Sequence, residues 1–402
     1  MTNGPTDAPE EARRADGDHR DQPPRNRRRR SRRPRNGGGP PGNQSGEKPD
    51  ASRREAAGGG PPVVAAIDLG TNNCRLLIAS KRGSGFRVVD AFSRIVRLGE
   101  GVSLSGRLSD AAMQRTVDAL RICADKIRRR GVTRVRCIAT QACRMASNSD
   151  DFVARVREET GLVFEVISAE EEARLGLRGC ASLLDPAVDG ALVFDIGGGS
   201  TEVSWLDMRA WGAEEAARGR TPAVSAWLSI PMGVVSLHER FVEQGFGLPE
   251  YEAVAQEVAN LLLAVDGVDP VREAFDAGRA HLLGTSGTVT SIAGVHLKLP
   301  SYDRKKVDGL WMGAAEARAV CDRLAGMTYD ERVLEPCIGT SRAELVAYGC
   351  AIYEGVARAY PSERLRIADR GLREGVLAEL FQTNKRRRGR RGGRKGRRPK
   401  AD

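Results

Sequence analysis

Apolar side chains are almost absent from the first sixty positions and then arrive in short, regular groups. Three β-rich runs open the series, "VVAAIDLG" (63–70), "CRLLIAS" (74–80) and "FRVVDAFSRIV" (86–96). Only "TNN" separates the first two, which predicts a hairpin. An amphipathic stretch follows from Ser109, a good N-cap, to about Arg130 before Gly131, and predicts a long helix. Then come a strand pattern at 133–140, a helix at 150–161, a strand at 163–168 and a helix at 169–184. This alternation is that of an α/β domain. Near Asp185–Asp189 the pattern restarts, with "ALVFDIGGGSTEVSWLDM" reading as two strands around a glycine turn. A turn-rich segment, "HLLGTSGTVTSIAG" (281–294), comes later, and the rest reads as helices that end the fold near Phe381.

The restart matters because it repeats chemistry as well as pattern. Strand, aspartate, glycine with hydroxyl or amide residues, and strand occur at 65–80 and again at 191–207, with Asp68 and Asp195 in equivalent places. Two related α/β domains, 63–187 and 188–382, would set these hairpins facing one another across a cleft.

Charge divides the chain differently. The total is +11, yet residues 1–54 carry 14 Lys/Arg against 8 Asp/Glu, and residues 383–402 carry 11 against 1, so the body between them is mildly acidic. Segments 1–62 and 383–402, rich in Arg, Gly and Pro, lack the apolar surface that would offset ordering, and are expected to be disordered basic tails. A run such as "KRRRGRRGGRKGRRPK" can hold RNA or another polyanion by charge alone, although charge runs are also simply solvated. No apolar stretch reaches membrane-spanning length and the N-terminus lacks a secretion-type core, so the expectation is a cytoplasmic protein without a membrane partner. The eight cysteines contain no C-x-x-C pair and sit mostly in apolar runs, as reduced buried thiols do.

Gly197, Gly198 and Gly199 leave the peptide N–H groups bare, and Ser200 and Thr201 add hydroxyls, so this turn can form a nest for phosphate. Gly70, Thr71, Asn72 and Asn73 form the matching turn, and Gly284, Thr285, Ser286 and Gly287 a third candidate phosphate-binding segment. Either hairpin alone is also explained as a tight turn. Asp68 and Asp195 would repel phosphate unless a divalent cation lay between them. Mg²⁺ is the expected cofactor, with Asp68, Asp195 and Glu202 as candidate ligands.

Together "AAIDLGTNN", "SAEEEARLGL", "VFDIGGGSTEV", "GTSGTVTSIAG" and "DRGLREGVL" resemble the exopolyphosphatase and guanosine pentaphosphate phosphatase (Ppx/GppA) family over about 63–382. The resemblance implies two actin-like (ASKHA, ribonuclease H-like) domains flanking an interdomain cleft. It also implies Mg²⁺-assisted hydrolysis of terminal phosphate from inorganic polyphosphate, guanosine pentaphosphate or both. A different class of function is a catalytically weak polyanion-binding protein that works through its tails. The family places its catalytic glutamate at Glu172, while Ser168 and Glu171 read equally well as a helix capping box. It matches an arginine at Arg144, at the carboxyl end of a predicted strand, where a guanidinium can stabilise phosphoryl charge. Arg373 and Glu374 read as a helical ion pair that supports the fold. Longer members append a further helical region that this chain lacks, which makes short chains or guanosine pentaphosphate the expected substrates. A homodimer is the assembly considered.

Overall fold

β1 (Val63–Leu69) is buried on both faces, which is why it is apolar without interruption up to Asp68. With β2 (Asn73–Arg82) and β3 (Gly85–Ile95) it forms an antiparallel meander. β4 (Arg134–Ala139) and β5 (Phe164–Val166) add in parallel on its other side, giving the order β3-β2-β1-β4-β5. The structure is a computed structural model describing residues 61–83 and 85–392, with side chains as far as Gln382 apart from Ser341. Most of the two predicted tails, residues 1–60 and 393–402, lies outside the described residues.

A second sheet repeats the plan. β6 (Gly190–Ile196), β7 (Thr201–Asp207) and β8 (Ala223–Ile230) form the meander, and β9 (Ala280–Thr285) and then β11 (Arg364–Ala368) add in parallel. β10 (Trp311–Gly313) closes the edge antiparallel to β11. Both sheets have the actin-like, ribonuclease H-like order. Four strands were not foreseen: no strand was assigned to the stretches that hold β8, β10 and β11, nor to the one that holds β9. The segment 281–294 is not a turn-rich loop but β9 followed by the helix Ser286–His296. β9 is buried at every residue, and a short fully buried run has no alternation to distinguish it from a helix.

Register carries the repeat to single residues. Asp68 lies opposite Arg75 in the first hairpin, and Asp195 opposite Glu202 in the second. Ser109 caps the helix Asp110–Arg129 as expected, its hydroxyl accepting from the Ala112 N–H at 3.2 Å.

Two helices fix the site. Ala169–Cys180 reaches both sheets, with Leu175 in the cluster on Val64, Ala66 and Ile138, and Leu177 and Cys180 in the cluster on Ala191, Val193 and Leu283. The closing helix Leu372–Gly392 returns to the first sheet, where Val376, Leu377, Leu380 and Phe381 cover Val64, Leu77 and Ala79. Residues 372–382, grouped in the sequence with the second domain, thus pack on the first sheet. The end of the fold moves as well, since the helical backbone continues through Gly392 rather than stopping near Phe381. Gln, Lys and Arg are good helix formers, so "QTNKRRR" does not break the element that burial of Val376–Phe381 begins. All eight cysteines are free and buried, and among the described residues no helix is long and apolar enough to cross a membrane.

Candidate active site

The loops after β1 and β6 close identically: Gly70 N–H donates to the Asn73 carbonyl and Gly197 N–H to the Ser200 carbonyl, each at 2.9 Å. Their tips touch. A Cβ on Gly198 would lie 3.0 Å from Thr71 Cβ, and one on Gly199 would lie 2.8 Å from Thr71 Oγ1 and 2.9 Å from Gln141 Cγ. The glycine run is thus required by loop-to-loop contact as much as by any ligand. The Gly197 and Gly198 carbonyls accept from the N–H groups of Val234 and Val235 at the start of the helix Val234–Phe241. The Gly198 and Gly199 N–H groups donate to no described residue.

A cavity of about 520 Å³ opens beside these tips. Of the residues expected to act, Asp68, Gly70, Thr71, Asn72, Asn73, Glu172, Asp195, Gly197, Gly198, Gly199, Ser200, Glu202, Thr285, Ser286 and Gly287 line it. Three do not. Thr201 gives its hydroxyl to the Met232 carbonyl at 2.7 Å. Gly284 lies inside β9, where a Cβ would meet Phe194 Cζ at 2.6 Å, so packing accounts for that glycine. Arg144 stands behind the wall. Its Nη1 donates to Glu172 Oε2 at 2.8 Å and to the Ile167 carbonyl at 3.0 Å, and its other nitrogens donate to Gln141 Oε1. These bonds orient Glu172.

Glu172 occupies the first turn of Ala169–Cys180. Only half of the capping box forms: the Ser168 hydroxyl accepts from Glu171 N–H, while the Glu171 carboxylate pairs with Arg136 and Arg174. Glu172 is thereby left as the acid that faces the cavity. Burial, then the Glu202 charge, push its pKa up to about 8 against the pull of Arg144. Burial also raises Asp195 and Glu202 to about 7 each, with neighbouring carboxylates adding to the effect, and raises Asp68. Glu202 accepts hydroxyl bonds from Ser200 at 2.6 Å and Ser229 at 3.0 Å. Ser200 therefore spends its hydroxyl on Glu202.

Buried Glu202 and half-buried Asp68, Glu172 and Asp195 make an oxygen-rich, cation-seeking wall. Among the described residues no three His, Cys, Asp or Glu side chains close on one point to hold an ion by themselves. That donor set fits Mg²⁺, which takes one or two carboxylates and completes its shell with water and phosphate oxygens. It does not fit a caged structural metal.

Comparison with known proteins places the chain among relatives. The profile of the Ppx/GppA phosphatase family matches residues 77–384. The chain belongs to the Ppx/GppA phosphatase family. Exopolyphosphatase 2 of Mycobacterium tuberculosis is 31% identical over 333 residues, spanning 79% of this chain and 98% of that protein. The crystal structure of the Aquifex aeolicus Ppx/GppA family member has 28% identity and a TM-score of 0.65, covering 80% of this chain and 98% of its own. An exopolyphosphatase from Cytophaga hutchinsonii, 23% identical over 80% of this chain and 98% of its own, shares the fold with a TM-score of 0.67.

As a Ppx/GppA phosphatase, this chain carries further charged groups in the cavity that the sequence did not single out as chemistry: Arg75, Arg94, Arg342, Arg370 and Arg373. Arg342 donates to Ser291 Oγ at 2.8 Å and Arg370 is bound to Asp308, whereas Arg75 and Arg373 make no hydrogen bond or ion pair to a described residue. One signal for Arg75 was legible, since the hairpin register sets it opposite Asp68. The expected Arg373–Glu374 pair does not form. Glu374 accepts instead from Arg304 at 2.9 Å and from Gly371 N–H at 3.0 Å, because neighbours in a helix point apart.

Proposed function

We propose that this chain releases terminal phosphate from inorganic polyphosphate by water attack, with Glu172 as general base. The observation that carries the reading is a half-buried, Arg144-oriented carboxylate of raised basicity on the wall of a cavity that also exposes the unspent Gly198 and Gly199 N–H groups. The relative named exopolyphosphatase 2 supports the choice of substrate. In this scheme the terminal phosphate rests on the Gly197–Ser200 turn and the facing Gly70–Asn73 turn. Glu172 takes a proton from the attacking water, a role worth about 10²- to 10⁴-fold in rate. Asp68 and Asp195 would hold Mg²⁺, which when bound supplies positive charge to phosphate oxygens. Guanosine pentaphosphate offers the same terminal phosphoanhydride and is the alternative substrate.

The test is phosphate release from polyphosphates of graded length and from guanosine pentaphosphate, with and without Mg²⁺. The wild type should turn over the polyphosphates, and Glu172→Gln should lose about 10²-fold or more in kcat. Full activity in the Gln variant would remove Glu172 from the role of base.

A further inference from the structure

Arg373 opens the closing helix at the edge of the cavity, one residue before Glu374. Among the described residues it makes no hydrogen bond or ion pair. Glu374 is taken up by Arg304 and the Gly371 N–H, and Asp369 by Arg304 at 3.2 Å. Burial lowers the pKa of Arg373; the charges of Glu374, Asp68 and Asp369 oppose this and that of Arg75 adds to it. Half-buried guanidinium groups are ordinarily paired, because desolvation without a partner is costly.

Arg373 shares the cavity with the acids: Asp68 is within electrostatic reach of Glu172 and Asp195 and also of Arg75, Arg373 and Glu374. The N-terminus of the helix Ser286–His296 also lines the cavity, and the buried Ser286 hydroxyl has no hydrogen-bond partner among the described residues. A phosphoanhydride with its terminal phosphate beside Glu172 would have the rest of its chain within the same cavity, which Arg75 and Arg373 also line.

We propose that Arg373 binds the phosphate on the leaving side of the scissile bond and neutralises the charge that gathers there, an inference that rests on the phosphohydrolase reading above. The water oxygen forms the new bond to phosphorus as the bridging P–O bond breaks, and that electron pair stays on the bridging oxygen of the shortened chain. The water proton passes to Glu172. Arg373 meets the new negative charge on the leaving oxygen without itself gaining or losing a proton. Its position is held by close packing: a Cβ on Gly375 would lie 2.0 Å from the Leu175 carbonyl oxygen, and one on Gly179 would lie 1.8 Å from that of Gly371. The helices carrying Glu172 and Arg373 therefore touch along their backbones.

The experiment compares wild type, Arg373→Gln and Arg373→Ala in the full chain, with tripolyphosphate as substrate and imidodiphosphate as a non-hydrolysed ligand. The Gln variant should keep the wild-type Tm or exceed it, since an unpaired cation is removed. Its kcat should fall about 10²- to 10³-fold, the range for loss of one charge-stabilising donor, and imidodiphosphate should bind at least about tenfold more weakly. Added methylguanidinium should restore part of the turnover of Arg373→Ala. Turnover and imidodiphosphate binding both within threefold of wild type in the Gln variant would overturn the proposal. A fall in activity that tracks a lowered Tm, without rescue by methylguanidinium, would overturn it equally. If the wild type releases no phosphate from tripolyphosphate, the phosphohydrolase reading itself falls, and that outcome is distinct from an active wild type with an equally active Gln variant.

Discussion

Glu172, Asp195, Glu202 and Asp68 all hold their protons more tightly than free carboxyls do, and this has consequences that can be measured. Folded Glu172 releases its proton near 8 whereas the unfolded chain releases it near 4.5, so between these values the folded state binds more protons. Stability from this group is therefore lost as pH rises from about 4.5 to 8. Without added divalent cation, thermal unfolding should shift upward on acidification from pH 8 to 6, and Glu172→Gln should flatten that shift. Activity runs the opposite way. A general base must be deprotonated, so kcat/KM should climb with pH on a limb whose apparent pKa lies above the ordinary carboxyl range, and a pH profile of phosphate release checks it. Gly199→Val tests the loop contact, because its side chain would run into Thr71 and Gln141. Such overpacking costs about 1–3 kcal/mol and should spread the two turns, lowering kcat/KM more than the loss of stability explains. Chemical denaturation beside steady-state kinetics separates the two effects.

The helices Ala169–Cys180 and Leu372–Gly392 turn sequence into a site. Each starts at the cavity and packs away from it, with Phe381 stacked on Phe86 at a centroid distance of 6.0 Å. Phe381→Ala should destabilise by about 3–5 kcal/mol, as loss of a buried aromatic ring does, measured by urea unfolding. Gly375→Val should be more damaging to activity than its volume suggests, because it pushes Arg373 away from Glu172. Helix Ala169–Cys180, the helix Asp110–Arg129 and both central hairpins were legible, since apolar spacing and caps mark them directly. β9 and β11 were not. β9 is buried at every residue and so carries no period, while β11 is only five residues long, too short for its Arg-Leu-Arg-Ile alternation to mark it, and both depend on neighbours brought from far along the chain.

Across the whole molecule, two copies of one sheet plan face a shared cavity, and the internal repeat had announced both. Charge at this scale is separated: a cavity lined by acids and arginines sits in a mildly acidic body, and the basic run begins on the helix that leaves the cavity. We propose that this run retains long polyanionic chains while their ends are trimmed. Removing residues 383–402 should raise KM for long polyphosphate at low salt and change it little at high salt, because counterion release scales with the phosphates contacted. A KM unaffected by truncation at low salt would exclude that role.

By itself the sequence determined which backbone is apolar, where the chain turns, and that the same turn occurs twice beside an aspartate. Those are local properties, written in spacing and residue type. Tertiary structure alone decided which charges meet. It gave Glu374 to Arg304 and left Arg373 unpaired, tied Arg144 to Glu172 behind the wall, and set Gly198 against Thr71. Pairing among buried ions depends on distance and desolvation between segments far apart in the chain, and no reading of neighbours along the sequence contains those distances.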